Sequence, residues 1–199
     1  GAANVLGKLE DFLQTEWPEL DVYLTSVTDH YATASICGPN SKKILNKLIP
    51  DLDFSDEGFP HMSFKNAKIN NIKCRIMRIS FTGEHSYEIN IQANYGEDLW
   101  KKCMEAGEEF NITPYGTETM HLLRAEKGFI IVGQDTDATM TPIDLQMDWI
   151  VSKKKYDFIG KRSLYRSDTI KEDRKQLVGL LTDNPSEVLE EGAQIVADT

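Results

Sequence analysis

Apolar residues recur at helical spacing at the start of the chain. Val5, Leu6, Leu9, Phe12 and Leu13 fall on one side of a helix predicted over 4–17. Pro18 ends it, because the residue before proline is pushed out of the right-handed helical region. Alternation follows. Val22, Leu24 and Ser26 interleave with Tyr23, Thr25 and Val27, and 30–37 continues the pattern, so two short strands are predicted around Thr28-Asp29. Gly38-Pro39-Asn40-Ser41 breaks the run. Ser41 is the predicted N-cap of a helix that carries Ile44, Leu45, Leu48 and Ile49 on one face and closes at Pro50.

The acidic, turn-rich stretch 51–60 reads as a surface loop. Asn70-Asn71 separates Ala67 and Ile69 from Ile72, Cys74 and Ile76, which predicts a hairpin within 66–80. In 85–92, Tyr87, Ile89 and Ile91 lie on one side of a strand, with Glu88 and Asn90 on the other. An amphipathic helix is predicted over 95–110, with Leu99, Trp100, Cys103, Met104 and Phe110. A second covers 117–127 and stops at Gly128. Beyond it the chain reads as a loop over 129–144, a short apolar piece over 145–151, a short helix over 161–165, and strand candidates at 176–181 and 194–197. Hairpins with separate helices indicate an α+β fold with antiparallel sheets and flanking helices.

Length and charge narrow the function. The 199 residues can bury a sizeable core without staples. The 22 basic and 32 acidic residues give a net charge of −10, which disfavours a generic nucleic-acid or anionic-membrane binder. A small anionic ligand held by a few local groups stays compatible. The 3 cysteines, Cys37, Cys74 and Cys103, show no CxxC pattern and read as unpaired thiols of a reducing compartment. With no membrane-length apolar run and no signal-peptide pattern, a cytoplasmic protein is expected.

No metal site is expected, because His30, His61, His85 and His121 lack partners at ligand spacing. There is no GxSxG, Walker or GxGxxG loop, so this chain carries neither a nucleophile elbow nor a dinucleotide loop. Two residues stand out. Glu88, mid-strand, could accept two hydrogen bonds from a paired N–H donor if it faces a cavity; the plainer account is a solvent-facing glutamate. Arg124, within an apolar helical segment, could grip a carboxylate, a carbonyl or Glu88. It could equally form an internal ion pair or snorkel to the surface. Lys153-Lys154-Lys155 could meet an anionic tail or a partner subunit, or form a solvated basic loop.

Two segments carry a family resemblance. Arg78-Ile-Ser-Phe-Thr-Gly-Glu-His-Ser-Tyr-Glu88 resembles the R-x-T/S-Y/F-T/S-G-E-x-x-Y/F-E strand of the aminomethyltransferase (glycine-cleavage T-protein) superfamily. Pro114-Tyr-Gly-Thr-Glu with Leu123-Arg124-Ala-Glu-Lys-Gly128 resembles its G-x-x-A-x-x-x-L-R-x-E-x-G helix. Trp17-Pro-Glu-Leu-Asp-Val, Ser26-Val-Thr-Asp, Gly38-Pro39, Val151-Ser-Lys-Lys-Lys and Asp157-Phe-Ile-Gly place the resemblance nearest the α-subunit branch of heterotetrameric sarcosine oxidases. The tRNA-modification and iron–sulfur-assembly branch carries K-G-C-[Y/F]-x-G-Q-E. Here Lys127-Gly128-Phe129 lacks the cysteine, which argues against that branch.

The resemblance implies a partial T-protein folate-binding fold over 1–167, lacking its N-terminal part. A linker and the start of a C-terminal β-barrel are implied over 168–199. It implies a tetrahydrofolate site in which Glu88 takes the pterin N–H pair, Phe81 stands where the family has an aromatic near folate, Arg124 is a polar contact or orienter, and Trp149 is a wall. The implied chemistry is capture of the one-carbon unit of a glycine iminium, released by sarcosine oxidation, as 5,10-methylenetetrahydrofolate. FAD, FMN and NAD are expected in other parts or subunits, with β, γ and δ subunits as partners. The family's catalytic aspartate and nucleotide-binding portion are expected upstream, so this stretch is not expected to turn over by itself. An aminomethyltransferase proper, a dimethylglycine or sarcosine dehydrogenase, and a folate-binding scaffold without catalysis are the alternatives.

Overall fold

The computed structural model describes residues 1–194 and 196. The chain divides into two compact units, Gly1–Phe129 and Ile130–Thr199.

The first unit opens with helix α1 (Ala2–Thr15), which buries no residue. Strand β1 (Tyr31–Cys37) leads to α2 (Ser41–Leu48), the hairpin β2 (Phe64–Ile69) and β3 (Ile72–Met77), then β4 (Ser86–Gln92), α3 (Gly96–Gly107) and α4 (Thr117–Glu126). The four strands form one antiparallel sheet in the order β1-β4-β3-β2. Asn70 and Asn71 both adopt positive φ, 49° and 66°, as the two central residues of a tight hairpin turn require. That turn sets the register Ile69↔Ile72, Ala67↔Cys74 and Lys65↔Ile76.

One face of the sheet carries the core. Ile36, Cys74, Ile76, Tyr87, Ile89 and Ile91 pack with Ile44 and Leu45 of α2 and Leu99 and Cys103 of α3. The segment 51–60, read from sequence as a surface loop, contributes more than a surface. Phe54 and Phe59 are buried and stack on each other at 5.8 Å, and Tyr87 meets both rings edge-on. Arg78 fastens this segment, donating from Nη1 to the Phe59 carbonyl at 2.6 Å and from Nη2 to Asp56 at 2.8 Å.

Three local expectations are corrected. Residues 22–27 form no strand; Val22, Tyr23 and Val27 are exposed and no described strand pairs with them. Alternation without a neighbouring ladder leaves backbone groups to water. Ser41 is not the N-cap. Asn40 flanks α2, and Ser41 Oγ donates instead to the carbonyl of His85 at 3.1 Å. In the second unit, 176–181 is not a strand, although Leu177 N donates to the Asp144 carbonyl at 2.8 Å. The described residues of 168–199 therefore show no start of a barrel; of the candidate 194–197, Ile195 and Ala197 lie outside the described residues.

The second unit holds two short 3-10 turns, Asp148–Ile150 and Lys161–Tyr165. Its pin is Asp144, buried and gripped by Arg174 through Nε at 2.7 Å and Nη2 at 2.6 Å. Thr141 adds its backbone N–H at 2.7 Å and its hydroxyl at 3.0 Å. The Arg174 guanidinium, with the Thr141 donors, holds the Asp144 carboxyl well below the usual carboxylate range. No described helix is long and apolar enough to cross a membrane.

Candidate functional site

The sheet face opposite the core carries no packed helix from the first unit's α2–α3 layer, and its residues follow from the register. Ser35, Glu88 and Met77 form one row, and Thr33, Asn90 and Arg75 the next. Asn66 extends the second row across β2, and Phe64 extends the first. The period of two that buries Tyr87, Ile89 and Ile91 thus turns Glu88 and Asn90 the other way, as the sequence pattern predicts.

Polar groups on this face are partly engaged. Thr33 Oγ1 donates to Asn90 Oδ1 at 2.8 Å, and the hydroxyls of Ser35 and Ser86 lie 3.5 Å apart. The Arg75 guanidinium lies over the Phe64 ring at 5.3 Å. A cavity of about 360 Å³ sits here, walled by Val27 and Thr28 of the turn before β1 and floored by Thr33, Asn90, Arg75 and Met77. Asn90 Nδ2 is buried and has no hydrogen-bond partner among the described residues. An orphaned amide donor is a costly group to bury. Beside it, half-buried Glu88 makes no ion pair among the described residues.

The turn entering β4 has its own anchorage. Thr82 is buried and its hydroxyl accepts the Glu84 N–H at 3.4 Å. Gly83 has φ +78° and lies against Lys127 and Phe129. Glu84 pairs with Lys127 Nζ at 3.1 Å. Phe81, at the head of the turn, is exposed. Arg124 is buried and donates from Nη1 to the Phe129 carbonyl at 3.1 Å, closing the chain that leaves α4. The two sequence segments that carry the family resemblance therefore meet in space, at Gly83 and Lys127.

Trp149 belongs to the second unit, on the turn Asp148–Ile150, and is 74% exposed. Lys153 pairs with Asp148 at 3.6 Å, both exposed. Glu88, Phe81 and Arg124 share the first unit.

Cys37 is half-buried and its thiol donates to the Tyr115 hydroxyl at 3.1 Å. Burial pushes the Cys103 thiol up to about 11 and raises Cys74 as well; Tyr115 is pushed up to about 12, by burial first and Cys37 second. Thiols so raised are poor nucleophiles at neutral pH. No described group of three or more His, Cys, Asp or Glu could hold a metal ion.

Sequence reasoning missed Asn90, Arg78 and Asp144. Asn90 carried a signal, being the second polar residue on the outward side of the strand. Arg78 lay inside a motif, but its partners Asp56 and Phe59 sit in an aperiodic stretch. Asp144 and Arg174 lie 30 residues apart with nothing local to link them.

Residues 1–155 match the family described as the GCVT N-terminal domain. The chain belongs to the GCVT family. Among its GCVT relatives, the sarcosine oxidase subunit alpha of Corynebacterium sp. (strain P-1) is 56% identical over 199 residues, covering all of this chain and 20% of the relative. An aminomethyltransferase of Thermoanaerobacter sp. (strain X514) is 34% identical over 147 residues, 73% of this chain and 39% of the relative. Human mitochondrial dimethylglycine dehydrogenase is 34% identical over 145 residues, 72% of this chain and 17% of the relative. The chain spans about one fifth of the length of the sarcosine oxidase subunits it matches. All of these GCVT relatives bear the names of enzymes.

Proposed function

We propose that the first unit holds tetrahydrofolate through Glu88. In this reading the chain is the folate-binding portion of an enzyme of the sarcosine oxidase α-subunit type, capturing a one-carbon unit as 5,10-methylenetetrahydrofolate. The observation that carries the reading is that half-buried Glu88 and Asn90, whose Nδ2 is a buried, orphaned donor, lie two residues apart on the open face of β4, with Asn90 lining a cavity there. A carboxylate beside an amide suits a flat heterocycle with N–H donors on one edge and a carbonyl on another. The similarity to sarcosine oxidase α subunits supports the same reading.

Glu88 accepts the paired N–H donors of the pterin and fixes its orientation. Asn90 completes the polar floor, with Thr33 holding its amide. Phe81 is the flat apolar contact at the head of the turn. Arg124 acts through position: its bond to Phe129 steadies the chain on which Gly83 and Glu84 rest. Trp149 is kept as the pocket wall that the family resemblance implies. When bound, tetrahydrofolate supplies the nitrogen nucleophile that takes the one-carbon unit. The residues here hold and orient it, which is a contribution of proximity. The glycine iminium, the flavins, NAD and the β, γ and δ subunits belong to the rest of the proposed assembly. The direct test is tetrahydrofolate binding by the parent and by Glu88→Gln.

A further inference from the structure

Lys153-Lys154-Lys155 takes no part in the proposed folate contact, and the second unit gives the triplet a place of its own. Lys153 and Lys155 line a cavity of about 330 Å³, whereas Lys154 stays outside it. Lys161 joins them from the turn Lys161–Tyr165. The backbone fixes that approach. Gly160 takes a φ of +92°, and Lys161 N donates to the Phe158 carbonyl at 3.1 Å. Phe158 and Lys161 therefore reach the same cavity from one tight turn.

The charge in this lining is unbalanced. Lys153, Lys155 and Lys161 meet a single carboxylate, Asp148. Asp148 pairs with Lys153 at 3.6 Å, and both side chains are exposed. The ion pairs of the described residues in the second unit leave Lys155 and Lys161 without an acid. Lys161 is half-buried; its ammonium donates to the Tyr156 carbonyl and lies over the Tyr156 ring at 5.6 Å. An ammonium has several N–H donors, so Lys161 keeps donors to give. Gathering like charges around one space costs energy. The chain does so while its net charge is −10. An anion held between the lysines removes that cost.

The remaining lining suits a ring. Val151, Phe158 and Tyr165 supply apolar and aromatic surface beside the lysines. The volume lies at the small end of the range of about 300–1,000 Å³ usual for ligand sites. It has room for one ring system with an anionic head and not for a dinucleotide.

We infer that this cavity binds a small aromatic phosphate monoester, with the phosphate on Lys153, Lys155 and Lys161 and the ring against Phe158 and Tyr165. A phosphate monoester carries close to two negative charges at neutral pH and several strong acceptor oxygens. That charge answers a cluster of ammonium groups better than one carboxylate does. The inference does not depend on the folate reading, whose Glu88 and Asn90 lie in the first unit.

The experiment is an NMR titration of the intact protein at low salt with phenyl phosphate, with inorganic phosphate as the head alone and phenol as the ring alone. Phenyl phosphate is expected to bind about tenfold more tightly than either fragment, and more weakly as salt rises. Lys155→Gln with Lys161→Gln is expected to weaken phenyl phosphate by about tenfold. Lys154→Gln removes the same charge outside the lining and is expected to leave the affinity unchanged. Tyr165→Leu is expected to bring phenyl phosphate down toward inorganic phosphate. Thermal melting verifies that each variant folds, and Lys155→Gln alone carries the test if the double variant does not. No binding of phenyl phosphate by the parent, or binding no tighter than that of inorganic phosphate, would overturn the site. So would a loss in Lys154→Gln as large as that in Lys155→Gln, because diffuse charge and not the cavity would then hold the anion.

Discussion

Gly83 lies so close to Lys127 that a Cβ built on the glycine would sit 2.6 Å from the lysine Cβ. Its φ of +78° adds a second constraint, because that region disfavours every residue with a side chain. Gly83→Ala is therefore expected to destabilise the first unit by about 2 kcal/mol, as strain at such a position does. Urea denaturation measures this. Lys127→Ala, which removes an ion pair between two partly exposed groups, should cost less than about 1 kcal/mol.

Ile89 is fully buried at the centre of the sheet, next in sequence to Glu88. Ile89→Ala should cost about 3 kcal/mol through lost burial and the cavity left behind. The denaturation midpoint should fall with little change in slope.

His85 accepts or donates at Nε2 against the Tyr87 hydroxyl, 3.0 Å away. Burial lowers its pKa below the ordinary 6.5; Arg78, Lys42 and His61 push the same way, and Asp56 opposes them. A histidine with a lowered folded pKa favours the native state while neutral. That contribution is whole above 6.5 and is lost as pH falls through 6.5 toward the folded value. Melting temperature should drop as pH falls below about 6.5 in the parent, and His85→Gln should flatten that part of the profile.

Arg174 grips Asp144 through two nitrogens in the second unit. Asp144→Asn removes the charge while Arg174 keeps its carbonyl partners at Thr139 and Asp168. Limited proteolysis should cut the variant within 130–194 faster than the parent, with the first unit's fragment surviving. The lowered Asp144 pKa means that the parent keeps this pin until pH falls below the usual carboxylate range, through the ordinary 3.8 toward the folded value.

Much of the first unit was legible in the chain because local pattern and packing agree there. Asn70-Asn71 announced the hairpin, since few other residue pairs tolerate two positive φ values in succession. The alternation of Tyr87, Ile89 and Ile91 with Glu88 and Asn90 announced both the core face and the open one. What stayed hidden depends on distant partners. Phe54 and Phe59 sit in a stretch with no period, and only Tyr87 gives them a place in the core. Ser41 looks like a cap by composition, yet its hydroxyl is taken by a carbonyl 44 residues away. The segment 176–181 has strand-like residues and no ladder to join. Arg124 reads from its position as a polar contact or orienter, and its Nη1 donates to the Phe129 carbonyl.

The central claim is that the Glu88 carboxylate holds the pterin. Isothermal titration of the intact protein with tetrahydrofolate, or with folinic acid as its stable stand-in, tests it most directly. Loss of a charge-assisted pair of hydrogen bonds should weaken binding by Glu88→Gln about 10- to 100-fold. The fold should be intact, since Glu88 lies on the face opposite the core. Glu88→Gln binding as tightly as the parent would contradict the account.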